Sequence, residues 1–156
     1  KRRHLRKDAI AFCQEVRARR PDVVFGADLI AGFPTETDEM FENTRAIIGD
    51  CGLSHVHVFP FSPRTGTPAA RMPQVPRSAV KARAAALRAE AATHLRAALN
   101  GQLGNVTEVL VEEGNTGRTP HYFAARLAGE QKSAGSIVHG LVTSIDGTQL
   151  VMEEAK

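Results

Sequence analysis

The residues best suited to chemistry lie where an apolar run ends, at Gly32 and Pro34. Glycine lets the backbone come close to a ligand, and proline ends the ladder of a strand. In sheets built from βα units, ligands bind at the carboxyl ends of the strands, which is where this turn would lie. The turn therefore predicts a binding edge, although many α/β proteins have such a turn only for packing.

His55 and His57 form a second candidate site. Residues two apart in a strand share one face, so these imidazoles could ligate a metal ion. No further ligand completes a usual zinc spacing, and we favour buried or substrate-facing imidazoles over a metal site. Cys13 and Cys51 are too few and too far apart for a zinc or iron–sulfur motif. We predict that both cysteines are reduced packing residues.

Two helices and two strands must position these residues, in the order helix, strand, helix, strand. The first helix ends before Pro21, and its apolar stripe holds Leu5, Ala9, Phe12, Cys13 and Val16. A strand follows over residues 23–31. Thr35 or Thr37 can cap the second helix, whose apolar face holds Met40, Phe41, Thr44, Ile47 and Ile48. The second strand covers 53–61, and short helical crossovers between apolar strands predict a parallel sheet.

A loop and a long basic helix come next. The loop over 62–68 leaves the second strand on the same side as Gly32, and its one charged group, Arg64, could meet a carboxylate or a phosphate. The helix begins at Pro76 or Ser78 and stops near Asn100. Its charged residues are the single acid Glu90 and the cations Arg77, Lys81, Arg83, Arg88 and Arg96. That excess suits contact with RNA, and it equally suits a solvated face.

The composition is that of an ordinary globular chain. Of 156 residues, 42% are apolar and 24% are charged, and no run approaches the ~20 apolar residues of a membrane span. Residues 1–100 carry 16 Lys and Arg against 10 Asp and Glu, a net +6, whereas residues 101–156 carry 4 against 7, a net −3. The chain begins without methionine, within a helical pattern. We expect a cytoplasmic fragment of a longer protein, with no membrane contact and with a basic part that permits a polyanionic partner.

Past Gly101 the pattern changes to short strands, over 106–112, 121–127, 136–145 and 148–153. Asp146 and Gly147 between two of them predict a type I′ hairpin. An open sheet of this size would leave its edges exposed, so we predict a small closed barrel of the OB-like kind. Such barrels often bind oligonucleotides, and they also occur as purely structural appendages.

Several motifs, taken in their order, match those of one enzyme family. They are Asp28-Leu-Ile-Ala-Gly-Phe-Pro-Thr-Glu36 and His57-Val-Phe-Pro-Phe-Ser-Pro-Arg-Thr-Gly-Thr-Pro-Ala69, then Val109-Leu-Val-Glu112, Gly117-Arg-Thr-Pro-His-Tyr122 and Gly135-Ser-Ile-Val138. The first two resemble the end of the catalytic domain of the radical S-adenosylmethionine tRNA methylthiotransferases. The last three resemble the TRAM domain that ends those enzymes, so the resemblance covers essentially the whole chain.

The resemblance implies an α/β fold, the C-terminal portion of an open radical S-adenosylmethionine (β/α) barrel, followed by an all-β OB-like TRAM barrel. Residues 1–75 would end the radical barrel, 76–101 would form a connecting basic helix and 102–156 would be the RNA-binding TRAM domain. The whole would be part of a transferase that methylthiolates a modified adenosine, N6-threonylcarbamoyladenosine, beside the tRNA anticodon. A freestanding RNA-binding protein with no catalysis and a purely structural domain are the alternatives.

The family uses S-adenosyl-L-methionine and 4Fe-4S clusters, and three of its cysteines are grouped as Cys-x3-Cys-x2-Cys. This sequence has no such motif. The resemblance therefore implies that the clusters belong to missing N-terminal segments of the parent chain, and that this fragment retains no cofactor and is inactive alone. Ile30 and Gly32 would lie beside the adenine of S-adenosylmethionine, and Phe59 with Pro60 would contact it from the next strand. Asp28 departs from the glycine that the family usually has there.

The RNA partner that the resemblance implies is the anticodon stem-loop of tRNA. In the loop-to-strand element around Tyr122, an aromatic ring can stack on an unpaired base and an arginine can meet phosphate. One of Tyr122 and Phe123 must point inward as part of the core. The predicted RNA contacts are Arg83, Arg88, Arg118, His121, Tyr122 and Phe123.

Overall fold

The computed structural model describes residues 4–155, and the chain divides into two compact units, Lys1–His94 and Leu95–Lys156. The predicted division into residues 1–75, 76–101 and 102–156 stays a prediction. The longest helix has 24 residues, and among the helices in the described part of the chain none is both long and apolar enough to span a membrane.

The first unit is an α/β arrangement. Its elements are α1 (Arg6–Arg19), β1 (Phe25–Ala31), α2 (Asp38–Cys51), β2 (Leu53–Pro60), a short 3₁₀ helix (Ala69–Arg71) and α3 (Arg77–Asn100), of which residues to His94 belong to this unit. β1 and β2 pair in parallel from Phe25 opposite Leu53 to Ala31 opposite Pro60. The predicted order of helices and strands and the predicted parallel pairing are therefore confirmed.

The core of the first unit packs the helices against this sheet. Its buried side chains are Cys13, Ala31, Phe41, Ile48, Cys51, Leu53, Ala84 and Leu87. Two residues of the predicted α1 stripe lie outside it, because Leu5 and Phe12 are exposed, whereas Ile10 packs against the core. The buried part of the stripe centres on Cys13, which lies beside Cys51 of α2, and the sheet has only two strands. On α2, Met40 is likewise exposed, and Thr37 caps the helix by accepting a hydrogen bond from the Met40 N–H at 3.2 Å.

The second unit is a closed barrel of five strands. Its strands are β3 (Val106–Glu113), β4 (Thr116–Arg118), β5 (Ala124–Leu127), β6 (Ile137–Asp146) and β7 (Gln149–Glu154). They follow one another around the barrel as β3-β4-β5-β7-β6, and the pairing of β3 with β6 closes it. The predicted closed barrel is confirmed, and its order with one parallel pair, β5 with β7, is compatible with an OB-like barrel.

Two details of the barrel differ from the sequence prediction. The β6–β7 hairpin turns on Gly147 and Thr148, because Asp146 pairs with Gln149. The predicted turn on Asp146 and Gly147 is therefore wrong by one residue. Of the two residues in the observed turn, only Gly147 has a positive φ, 60°, whereas a type I′ turn needs a positive φ at both. The strand predicted over 121–127 begins later, at Ala124, and the short strand β4 was not predicted.

Candidate ligand and nucleic-acid sites

The carboxyl ends of β1 and β2 present two apolar side chains side by side. Ile30 and Phe59 are register partners, and both are about half exposed. The Phe61 N–H donates to the Ala31 carbonyl at 2.8 Å, which continues the pairing past Pro60. A cavity of about 650 Å³ opens here, and Ile30, Phe59 and Pro60 all line it. Three of the four residues predicted for the ligand edge are thus brought together.

The fourth residue, Gly32, faces another neighbour. Its φ is +76°, and an added Cβ would lie 2.5 Å from a methyl group of Val80 in α3. Its N–H donates to the Glu36 carboxylate at 2.9 Å. Glycine is therefore needed at this position because α3 packs closely against it, and because the turn that brings the Glu36 carboxylate to its N–H requires a positive φ. It does not line the cavity shared by Ile30 and Phe59.

Glu36 and Arg83 form an ion pair that holds this turn against α3. The guanidinium of Arg83 donates to the Glu36 carboxylate at 2.8 Å and to the Asp38 carboxylate at 2.6 Å. The side chains of Arg83 and Glu36 are only 12% and 8% exposed, whereas that of Asp38 is 97% exposed. The hydrogen bond that Arg83 donates to Asp38, followed by the one it donates to Glu36, raises the pKa of Arg83 although burial opposes the charge.

The predicted RNA contacts on α3 differ in their surroundings. Arg83 is turned into the first unit, so its guanidinium is already engaged, in contrast to the solvent-facing position that the sequence suggested. Arg88 is exposed and donates to the Val58 carbonyl at 3.3 Å. The sequence alone assigns Glu36 no partner, because 47 residues separate it from Arg83.

The histidines and cysteines do not assemble into a ligand set. His57 is exposed and His55 is half-buried in β2. Within residues 4–155, no group of three or more His, Cys, Asp or Glu side chains could hold a metal ion. Cys13 and Cys51 are both free thiols in the core. Burial, with a hydrogen bond to Cys13 as the next cause, raises the pKa of Cys51 to about 11, so this thiol stays protonated at neutral pH.

In the barrel, Thr119 ties a tight loop between β4 and β5. The Thr119 N–H donates to the Phe123 carbonyl at 3.0 Å, and the Thr119 carbonyl accepts from the Tyr122 N–H at 2.8 Å. The hydroxyl of Thr119 accepts from the Phe123 N–H at 3.2 Å. Tyr122 takes a left-handed conformation with φ 64°, which is uncommon outside glycine. This loop breaks the alternation of a strand and decides which ring faces outward.

Tyr122 is the outward ring and Phe123 the inward one. The side chain of Phe123 is 1% exposed and belongs to the barrel core, so the RNA contact predicted for Phe123 is wrong. Tyr122 is 67% exposed, and the guanidinium carbon of Arg118 lies 5.1 Å from the centre of its ring. The ring of His121 lies 6.4 Å from that of Phe123. The loop therefore offers one exposed aromatic ring with a cation beside it.

Acidic and apolar groups surround this ring. A shallow cavity of about 250 Å³ is lined by Arg118, Tyr122, Leu110 and the carboxylates Glu108 and Glu112. Arg118 is also 3.8 Å from the Glu112 carboxylate. Carboxylates repel phosphate but accept hydrogen bonds from the amino groups of bases. The surroundings of Tyr122 thus suit an unpaired base better than a phosphate.

Known proteins resemble the chain over most of its length. It is 51% identical over 127 residues to the threonylcarbamoyladenosine tRNA methylthiotransferase MtaB of Rickettsia prowazekii, a match that covers 81% of this chain and 30% of that protein. It is 36% identical over 151 residues to the tRNA-2-methylthio-N(6)-dimethylallyladenosine synthase of Methylococcus capsulatus, which covers 92% of this chain and 33% of that protein. No family model matches the chain.

The structure combines an α/β unit with a closed five-stranded barrel that carries an exposed aromatic ring. The chain belongs to the family of the tRNA methylthiotransferases. It spans about a third of the length of the curated relatives it matches. The names of these relatives describe enzymes that modify tRNA.

Proposed function

We propose that the chain is the C-terminal, tRNA-docking segment of a cytoplasmic radical S-adenosylmethionine methylthiotransferase. Its substrate would be N6-threonylcarbamoyladenosine beside the anticodon, which the name of the Rickettsia relative supports. In this proposal, residues of the first unit form the end of a larger (β/α) barrel, and the small barrel is a TRAM domain. The observation that carries the proposal is the exposed Tyr122 ring beside Arg118.

The strand ends of the first unit fit one part of S-adenosylmethionine. Ile30 and Phe59 give a half-exposed apolar surface of the kind that an adenine ring covers, and Pro60 adds to its wall. The cofactor would supply the radical and methyl chemistry of the parent enzyme. The residues of this chain would bind the adenine and exclude water from the face of its ring. Gly32 would stabilise this edge because its N–H donates to the Glu36 carboxylate and its backbone packs closely against Val80.

The residues of this chain do not fit a 4Fe-4S cluster. A cluster of this family is held by three grouped thiolates, whereas this chain has two cysteines, Cys13 and Cys51, which are buried core thiols, and the pKa of Cys51 is raised. The proposal therefore assigns the clusters to other segments of the parent enzyme. That this fragment alone retains no cluster and no activity remains a prediction.

The proposed division of RNA contacts follows from charge. The second unit is acidic, so its contact with tRNA would be a stack of Tyr122 on an unpaired base, with Arg118 beside it. The salt-dependent contacts would come from the first unit, in which Arg88 is the exposed cation among the predicted pair. His121 lies next to the stacking ring in sequence and stays a candidate contact.

Replacing Tyr122 with alanine tests the proposal. Loss of one base stack should weaken binding of the anticodon stem-loop by ~1–3 kcal/mol, or roughly 5- to 150-fold. Because stacking neutralises no phosphate, the slope of log affinity against log salt should stay unchanged. Filter binding at four salt concentrations measures both quantities.

Tyr122→Phe is the matched control, because it keeps the ring and removes only the hydroxyl. It should bind within about twofold of the wild-type chain if stacking is the contact. A folded Tyr122→Ala chain that binds as tightly as the wild type would contradict the role of Tyr122.

A further inference from the structure

Three cations of α3 lie on one face of the helix. Arg77, Lys81 and Arg88 are 4 and 7 residues apart, and at about 3.6 residues per turn these spacings place them within roughly 40° of one another. Ala84, which is small and buried, lies between them on the same face. This face of the helix thus carries Arg77 and Lys81 on one side of the small residue Ala84 and Arg88 on the other.

A groove lies along this face. It has a volume of about 710 Å³, and the segment from Pro60 to Pro63 lines it together with α3. Gly32, which is packed against Val80, also lines it. The lining contains the three cations and the hydroxyl of Ser62 but no carboxylate. A groove with this lining favours an anionic occupant.

The acids of neighbouring elements are committed elsewhere. Glu36 and Asp38 bind Arg83, which is on another face of the helix. Glu90, the single acid of α3, pairs with Arg45 at 3.4 Å and lies 3.4 Å from His94. Within the described residues, Arg77, Lys81 and Arg88 have no carboxylate within 4.0 Å. Their charge is therefore available to a ligand.

We propose that this groove, here called the α3 groove, binds a phosphate group of the RNA backbone. Arginine can hold phosphate oxygens with two parallel hydrogen bonds, and lysine adds a mobile charge. Arg88, which is oriented by the Val58 carbonyl, closes one end of the groove, and Arg77 with Lys81 forms the other. The inference rests on the proposed tRNA binding and adds to it a second, electrostatic contact separate from Tyr122.

The test uses Arg77→Gln and Lys81→Gln, singly and together, in the 156-residue chain. Each should reduce the salt slope of stem-loop binding by roughly 0.7–0.9 for every phosphate contact removed. Lys81→Arg keeps the charge and should keep the slope. Arg96→Gln is the matched control, because Arg96 is an exposed cation of the same helix that lies outside the groove lining.

A titration with inorganic pyrophosphate distinguishes RNA phosphate from free phosphate. We expect pyrophosphate to shift the Ser62 and Lys81 amide signals in nuclear magnetic resonance, and we expect these shifts to saturate. The shifts should be absent with matched sodium chloride and absent in the double variant. Saturation by pyrophosphate with no change of salt slope in the variants would mean a site for free phosphate, and it would overturn the RNA assignment.

The failures of the two proposals can be told apart. An unchanged slope in the groove variants, in a chain whose binding still falls with Tyr122→Ala, would overturn the α3 groove and leave the proposed function standing. An equal loss of slope from Arg96→Gln would also overturn it, because the effect would then be that of helix charge in general. If the wild-type chain bound no stem-loop, the proposed function would fall, and the groove assignment to RNA would fall with it.

Discussion

Replacing Gly117 with alanine should lower the unfolding free energy of the barrel by at least about 3 kcal/mol. An alanine Cβ at this position would lie 2.0 Å from the carbonyl oxygen of Leu110 on the neighbouring strand. Backbone atoms of paired strands cannot move apart without breaking the ladder, so the clash must separate β3 from β4. Chemical denaturation followed by tyrosine fluorescence measures the loss, because the chain has one tyrosine, in the barrel, and no tryptophan.

Gly114→Ala is the control in the same hairpin. Gly114, unlike Gly117, has a positive φ, 57°, but nothing lies within 4 Å of an added Cβ. Alanine there should cost only about 1 kcal/mol, for the left-handed backbone. A loss at Gly117 no larger than that at Gly114 would show that the contact with the Leu110 carbonyl does not exclude a side chain at Gly117.

Replacing Glu36 with glutamine should lower the unfolding free energy of the first unit by about 3 kcal/mol. The change removes the buried partner of a guanidinium that is only 12% exposed, and breaking one side of a buried ion pair is strongly destabilising. The glutamine side chain can still accept a hydrogen bond from the Gly32 N–H, so the loss of unfolding free energy should lie at the lower end of the range of about 3–5 kcal/mol for a broken buried ion pair. Denaturation followed by helix circular dichroism measures it.

Asp38→Asn makes the same chemical change on the other side of Arg83. Because the Asp38 side chain is 97% exposed, its removal should cost at most about 1 kcal/mol, from an exposed pair and the first turn of α2. A larger loss from Asp38→Asn than from Glu36→Gln would contradict the importance assigned to burial of the pair.

Local patterns were enough to predict most elements of this fold. Helix periodicity up to Pro21 and the apolar runs on both sides of α2 predicted the parallel β1–β2 pair, since period and crossover length depend only on neighbouring residues. The short strands past Gly101 likewise predicted a closed barrel. The outcome for α1 shows the limit of such patterns, because how much of its stripe is buried depends on how many strands face it.

The candidate sites depend on contacts that no local pattern records. The pairing of Glu36 with Arg83 spans 47 residues, so the sequence showed only an acid in one place and a basic helix in another. The sequence required one of Tyr122 and Phe123 to be core, but the choice is made by the left-handed backbone at Tyr122 and by the three hydrogen bonds of Thr119. The packing of Gly32 on Val80 is likewise visible only once α3 is in place.

In the proposed function, this chain docks the unpaired loop of a tRNA anticodon. The most direct test compares the affinity of the wild-type chain for an anticodon stem-loop with its affinity for a fully paired RNA duplex that has the same number of phosphates. Both ligands offer the same charge, but only the loop offers unstacked bases to Tyr122. We predict that the stem-loop binds roughly 5- to 150-fold more tightly than the duplex, because one base stack contributes ~1–3 kcal/mol of binding free energy. Equal affinity for the two RNAs would contradict the account.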